Sequence, residues 1–261
     1  MAEGKTFWGH VEVLRWMLVR CVAVVFGVAV LAFVYKDFVF ERLILAPCDP
    51  SFPIYRLLAR LGIPVSPAGI ELINIELASQ LMIHLKVSFY LALVVAFPYL
   101  VCELWLFAAP ALYSSERRPA AVAVVAFFFQ FFLGVALAYC LIFPLTFNFL
   151  GTYQVSARVA NQISLGSYIG TFVGLMFMMG LVFEMPIVAY FFARIGLLRA
   201  DFLRRWRKVA VVLVLVAAAF ITPSTDVFTM CLVALPLWVL FEFSVLVVRR
   251  VEPREAPPRD S

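Results

Sequence analysis

Charged residues are scarce in this chain of 261 residues: Asp, Glu, Lys and Arg make up 14% of it, whereas 65% of the residues are hydrophobic. A soluble domain carries about 25% charged and about 45–50% apolar residues. The surplus of apolar residues exceeds what one water-soluble core can bury. The composition therefore predicts an all-α integral membrane protein whose helices cross the bilayer several times.

Residues arranged for metal binding or catalysis are scarce as well. The two histidines, His10 and His84, lie far apart, and none of the five cysteines stands at the spacing of a metal or redox motif. The sequence contains no HExxH motif, no phosphate loop and no nucleotide fingerprint. We therefore expect no metal, no cofactor and no enzymatic activity.

The long apolar runs predict six transmembrane helices, because a span needs about 20 apolar residues. They lie at about 18–35, 83–107, 120–143, 169–193, 209–222 and 227–248. We expect residues 1–250 to form one six-helix transmembrane domain. The polar, proline-rich residues 251–261 are expected to be a disordered tail.

The last two helices are predicted to form a hairpin. The forty residues between Lys208 and Arg249 contain only two charges, Asp226 and Glu242, and the sequence TPSTD at 222–226 breaks the run. Asp226 lies at the hairpin tip, where an N-cap is its ordinary role. Helix 5 is then too short for a full span, so it must thin the bilayer or admit water.

The distribution of basic residues predicts the orientation. Six spans place both termini on one side, which then holds fifteen of the 21 Lys and Arg residues. Cytoplasmic loops carry an excess of Lys and Arg. Both termini are therefore predicted to be cytoplasmic. The net charge of +5 follows from this topology, and nucleic-acid binding need not be invoked.

Glu184 is the most unusual polar residue, because it stands inside the apolar run FMMGLVFEMPIVAYFF at 177–192. An acid at the centre of a spanning helix costs about 2.5–3.5 kcal/mol on insertion scales. We expect either a buried acid that hydrogen-bonds a neighbouring helix, with Gln130 as partner, or a functional intramembrane site. A proton-coupled secondary transporter that uses Glu184 as a relay is the alternative function.

Three further acids lie near the cytoplasmic ends of the predicted helices. Glu103 is near the inner end of helix 2, Glu116 is in the first inner loop beside Arg117 and Arg118, and Glu12 is on an amphipathic helix that runs into helix 1. From charge alone each is explained by contact with water or a basic neighbour.

Five segments occur in a characteristic order over about residues 7–250: FWGHVEVLR, FPYLVCELWLFAAPALYSSERR, YCLIFPLTFNFL, SYIGTFVGLMFMMGLVFEMP and ITPSTDVFTMCLVALPLWVLFE. Together they resemble TatC, the polytopic subunit of the twin-arginine protein translocase. The resemblance implies six helices in a concave, glove-like arrangement with helices 5 and 6 short. It also implies a receptor, not an enzyme, in the cytoplasmic (inner) membrane. This receptor binds the twin-arginine signal peptides of folded proteins at its cytoplasmic face.

The resemblance also implies partners and site residues. The partners are TatA- and TatB-type single-span proteins, together with self-association in a larger complex, and the proton-motive force drives export. The loop glutamate of the family matches Glu116. Its N-terminal glutamate falls on Val13, one residue after Glu12. We therefore expect the signal peptide to bind at Glu116, with Glu12 or Glu103 as the second acid. A scaffold is a further alternative, and it would not distinguish Arg-Arg from Lys-Lys.

Overall fold

A computed structural model of the chain describes residues 7–62, 72–75, 77–108, 117–154, 156, 161–222 and 226–251. These residues are almost entirely helical. The α-helices are α1 (Phe7–Val34), α2 (Pro53–Arg60), α3 (Ser79–Ala108), α4 (Arg117–Leu137), α5 (Phe143–Thr152), α6 (Leu165–Phe183), α7 (Met185–Arg194), α8 (Ala200–Arg205), α9 (Arg207–Ile221) and α10 (Val227–Val251). Two π-helical segments, Phe38–Ile44 and Ala138–Ile142, and a 3-10 turn, Ala46–Cys48, interrupt them.

Five helices in the described part of the chain are long and apolar enough to cross a membrane. They cover Val11–Val34, Ser79–Phe107, Val124–Thr152, Leu165–Arg194 and Val227–Val251. Predicted helix 5 corresponds to α9. This helix has 15 residues and is therefore about 22 Å long, less than the hydrocarbon thickness of about 30 Å. This confirms the predicted short helix 5.

The sixth predicted helix differs from what the resemblance implies. It is α10, which has 25 residues and is not short. Pro236 lies inside α10 without ending it. Proline is tolerated in membrane helices because neighbouring groups satisfy the backbone carbonyl that it leaves free. The helix therefore continues until its last turn reaches Arg249 and Arg250.

The first helix lies at the edge of the bundle. The amphipathic N-terminal segment and predicted helix 1 form one continuous helix, α1, from Phe7. It packs on α3 in an antiparallel direction, because Arg20 pairs with Glu103 and Phe33 stacks on His84 with ring centroids 4.0 Å apart. Its other faces carry exposed apolar side chains, which suits contact with lipid.

The core lies around α6, which contacts α3, α4, α9 and α10. Its side chains Ile169, Leu175 and Met179 are fully buried. Close contact with α4 depends on Gly134, where an added Cβ would lie 2.6 Å from the backbone oxygen of Met179. The α6 span is therefore the central helix of the bundle and supports the polar residue that follows it.

Hydroxyl groups of tyrosines fix the segment between α1 and α3 to the end of the bundle. They donate to backbone carbonyl oxygens: Tyr139 to Leu43 at 2.9 Å, Tyr168 to Ile44 at 2.6 Å, and Tyr55 to Pro47 at 3.0 Å and to Pro144 at 3.1 Å. Burial raises the pKa of the Tyr55 hydroxyl, which keeps it a donor. Strand β1 (Leu72–Ile73) pairs in parallel with β2 (Ile163–Ser164) and joins two loops at the same end.

Candidate functional site

An ion pair joins α1 to the last turns of α3. The Arg20 guanidinium donates from Nε to Glu103 Oε1 at 2.9 Å and from Nη2 to Glu103 Oε2 at 2.8 Å. The Tyr99 hydroxyl donates to the same Oε1 at 2.7 Å. The Glu103 side chain is 8% exposed and that of Arg20 is 52% exposed. This bidentate geometry is the strong form of an arginine–carboxylate contact.

The ion pair changes the interpretation of Glu103. Its carboxylate already binds a guanidinium of this chain and a phenol, so an incoming guanidinium would compete with Arg20. Arg20 was not among the residues predicted to form a site. Its position well inside an apolar helix could have indicated the ion pair, because a cation there needs a nearby acid.

The structure describes one of the two other acids expected at the signal-binding site. Glu12 is exposed on α1, and Glu116 lies outside the described residues. Val13, the position where the resemblance places a glutamate, is seven residues before Arg20. At 100° per residue these two share a face of α1, whereas Glu12 lies about 80° from Arg20. Glu12 therefore projects away from the ion pair.

Glu184 lies at the break between α6 and α7. Its backbone N–H donates to Leu181 O at 3.1 Å, and its carbonyl accepts from the N–H groups of Ile187 and Val188. Pro186 has no N–H to continue the helix, so the two helices meet at a kink. The kink places the carboxyl group where the span changes its main neighbour, since α6 packs chiefly on α4 and α7 packs chiefly on α10.

The surroundings of Glu184 are apolar and tightly packed. The residue is 6% exposed. One turn before it, an added Cβ on Gly180 would lie 2.6 Å from the ring of Phe131, and Phe131 is itself fully buried. These contacts hold α4 and α6 close together beside the carboxyl group.

The expected hydrogen bond from Gln130 to Glu184 is absent. Both carboxyl oxygens of Glu184 are buried and have no hydrogen-bond partner among the described residues. The reason is helical geometry: Phe131 faces α6, and the preceding residue points about 100° away from it. Gln130 is instead half-buried on α4. An orphaned buried polar group costs about 1–3 kcal/mol, so Glu184 calls for a functional explanation.

The hairpin of α9 and α10 contains two of the predicted polar residues. Asp226 accepts from the Thr229 N–H at 2.7 Å, which is the expected N-cap of α10. Glu242 pairs with Arg207 at 2.6 Å, which joins the basic end of α9 to α10. Within the described parts of the chain, no cluster of three His, Cys, Asp or Glu side chains could hold a metal ion.

Comparison with known proteins identifies the family. The sequence model of Sec-independent protein translocase protein (TatC) matches residues 9–236. The chain belongs to the TatC family. It is 30% identical over 250 residues to the TatC of Blattabacterium sp. subsp. Periplaneta americana, a match that covers 92% of this chain and 94% of that one. It is 36% identical over 192 residues to the TatC of Campylobacter jejuni, which covers 73% and 78%.

Two solved TatC structures share the fold of this chain. The structure described as "Crystal Structure of Twin Arginine Translocase Receptor- TatC" has a TM-score of 0.71 and 30% identity, and it covers 92% of this chain and 97% of that one. The structure of the TatC receptor "in DDM" has a TM-score of 0.74 and 29% identity, over 92% and 99%. These similarities confirm a six-helix transmembrane protein with the TatC fold.

The ion pair gives a stability prediction. Arg20→Gln should lower the melting temperature in detergent more than Glu103→Gln, because it leaves a buried carboxylate with only Tyr99, whereas the amide that Glu103→Gln introduces can still bond Tyr99. The double variant should recover part of the loss. Arg15→Gln, which removes an exposed arginine of α1, is the matched control. Equal effects of Arg20→Gln and Arg15→Gln would contradict this assignment.

Proposed function

We propose that this TatC chain, the core subunit of a twin-arginine translocase, receives the twin-arginine signal peptides of folded proteins. The peptide binds at the membrane side where α1 begins and α3 ends. Two arginines are recognised there by carboxylates, because paired guanidinium–carboxylate contacts are bidentate and discriminate against Lys. The acids are Glu116, with Glu12 as its partner from α1.

The Arg20–Glu103 ion pair is the observation that carries this proposal. It joins the first half of α1 to the last turns of α3. These parts of the two helices are the nearest in sequence to Glu12 and Glu116. Glu12 is eight residues before Arg20, and Glu116 is thirteen residues after Glu103. Because α1 and α3 are antiparallel, the start of α1 and the end of α3 lie on the same side of the bundle. In this proposal Glu103 fixes the α1–α3 arrangement and contacts the signal peptide only if Arg20 releases it.

Glu184 has a separate role in the proposal. Its carboxyl group is a polar docking point inside the membrane for a partner helix or for the inserted signal peptide. The support is its burial without a hydrogen-bond partner among the described residues. A polar group on the incoming helix would satisfy these oxygens and offset the cost of burying them.

The remaining elements of the proposal follow the family. The chain lies in the cytoplasmic (inner) membrane with both termini in the cytoplasm, as the excess of Lys and Arg on that side favours. It works with TatA- and TatB-type single-span proteins, self-associates in a larger complex, and uses the proton-motive force. It catalyses no reaction of its own.

Signal-peptide binding tests the recognition site. The full chain in detergent should bind a peptide that carries Arg-Arg more tightly than the same peptide with Lys-Lys. Glu116→Ala should weaken Arg-Arg binding by about tenfold or more, because a hydrogen bond to a charged group contributes about 1.5–3 kcal/mol. Titration with a fluorescent peptide gives both dissociation constants.

The controls separate the two candidate acids from general charge. Glu12→Ala should also weaken the binding, whereas Glu41→Ala, which removes an exposed acid beyond the opposite end of α1, should leave it unchanged. Folded protein that shows no preference between the two peptides would contradict the receptor function. An effect of Glu41→Ala equal to that of Glu116→Ala would mean that net charge, not a site, attracts the peptide.

Glu184 gives opposite predictions for stability and export. Glu184→Leu should raise stability by about 1–3 kcal/mol, because it removes a buried polar group without a partner, but it should abolish export of a twin-arginine reporter. Glu184→Gln should retain export if hydrogen bonding is sufficient for docking. Unchanged export by Glu184→Ala, with normal protein levels, would refute the docking role.

A further inference from the structure

An apolar groove runs between α3, α4 and α6 within the membrane-spanning part of the bundle. Its volume is about 250 Å³. Val87 and Tyr90 of α3, Ala136 of α4, and Val173 and Phe177 of α6 line it. The rings of Tyr90 and Phe177 meet edge to face at 5.7 Å and form one wall. Ala136 is exposed, so the groove opens toward the bilayer.

The apolar lining of the groove suits a hydrocarbon chain. A methylene group is close in size to a water molecule, which occupies about 30 Å³. The groove therefore has room for several methylene groups of a single chain.

A cation lies at one end of this groove. Lys86 precedes Val87 on α3 and is exposed. Its Nζ lies 4.0 Å from where a Cβ on Gly170 would stand, one turn before Val173 on α6. The ammonium group therefore lies beside α6, one turn from the groove residue Val173. Among the described residues, no carboxylate forms an ion pair with Lys86.

The position of Lys86 suits the lipid headgroup region. It is seven residues after Ser79, the first residue of α3, and so about 10 Å from that end of the helix. A lysine at this depth extends its flexible stem toward the interface, where its ammonium group meets phosphate. The groove then corresponds in position to the acyl tail of a lipid, and the Lys86 ammonium group corresponds to the site of its headgroup.

We propose that this groove is a binding site for one anionic phospholipid. One acyl chain lies against the groove residues, and the Lys86 ammonium group binds the phosphate. The bound lipid fills the space between α3 and α6 and thereby supports their packing. This site is separate from the recognition of the signal peptide at the other end of α3.

Photolabelling tests the site on the full chain in lipid nanodiscs. The probes are phosphatidylglycerol and phosphatidylcholine, each with a diazirine in one acyl chain, and mass spectrometry locates the adducts. Phosphatidylglycerol should label the groove residues about fivefold more than phosphatidylcholine, which is the contribution expected of one lysine near the membrane surface. Lys86→Gln should remove this difference, whereas Lys36→Gln, which removes an exposed lysine that does not line the groove, should preserve it.

A second variant tests the groove itself. Ala136→Phe should fill it and abolish labelling of the groove residues by both lipids, and its exposed position favours normal folding. Ala126→Phe, at an exposed alanine of α4 outside the groove, is the matched control and should label as the wild type does. Equal labelling by the two lipids, or unchanged labelling of Ala136→Phe, would overturn the proposal. Displacement of the lipid by a twin-arginine peptide would assign the groove to the signal peptide and also overturn it.

Discussion

The hydrocarbon core of a bilayer offers no water, so every polar group within it needs a partner supplied by protein. The chain meets this requirement at several of its buried polar groups. Arg20, Glu103 and Tyr99 satisfy one another across α1 and α3. The hydroxyl groups of Thr222 and Ser244 bond carbonyls one turn back in their own helices. The buried hydroxyl groups of Ser88, Thr146 and Thr229 also lack a partner among the described residues, but Glu184 differs from them in being an acid with both carboxyl oxygens unpartnered. This difference is the basis of the docking role proposed for Glu184.

The short helix α9 acts on the same region. A helix of 15 residues cannot cross the full hydrocarbon thickness, so the bilayer thins around it or water enters. Because α9 contacts α6, the thinning occurs beside the span that contains Glu184. An approaching polar helix would then cross less hydrocarbon to reach the carboxyl group. The kink at Pro186 and the short span therefore both favour the docking proposed for Glu184.

The sequence predicted well what depends on local patterns. Apolar runs identified the spans, the charge-poor stretch after Lys208 identified the hairpin, and Asp226 was correctly predicted as an N-cap. Glu184 could be recognised from the sequence because the free-energy cost of an acid inside an apolar span depends only on that residue and its neighbours in the chain. The short sixth helix that the resemblance implied was wrong, because α10 runs for 25 residues and continues past Pro236.

What the sequence could not give is the pairing between helices. Arg20 and Glu103 are 83 residues apart, and only the packing of α1 on α3 brings them together. The expected contact of Gln130 with Glu184 failed because one residue of sequence turns a side chain by about 100°, and the sequence does not show which of two neighbours faces α6. Phe131 does, so the carboxyl group meets an apolar surface.

The claim that Glu184 docks a partner helix is tested most directly by photocrosslinking within the assembled translocase. Leu181 is 41% exposed and lies one turn before Glu184, so a photoreactive residue placed there would touch whatever binds beside the carboxyl group. We predict an adduct with a single-span partner or a signal peptide, lost in Glu184→Ala and absent from the same probe at Val22 on α1. The same adduct yield with and without the Glu184 carboxyl group would contradict the account.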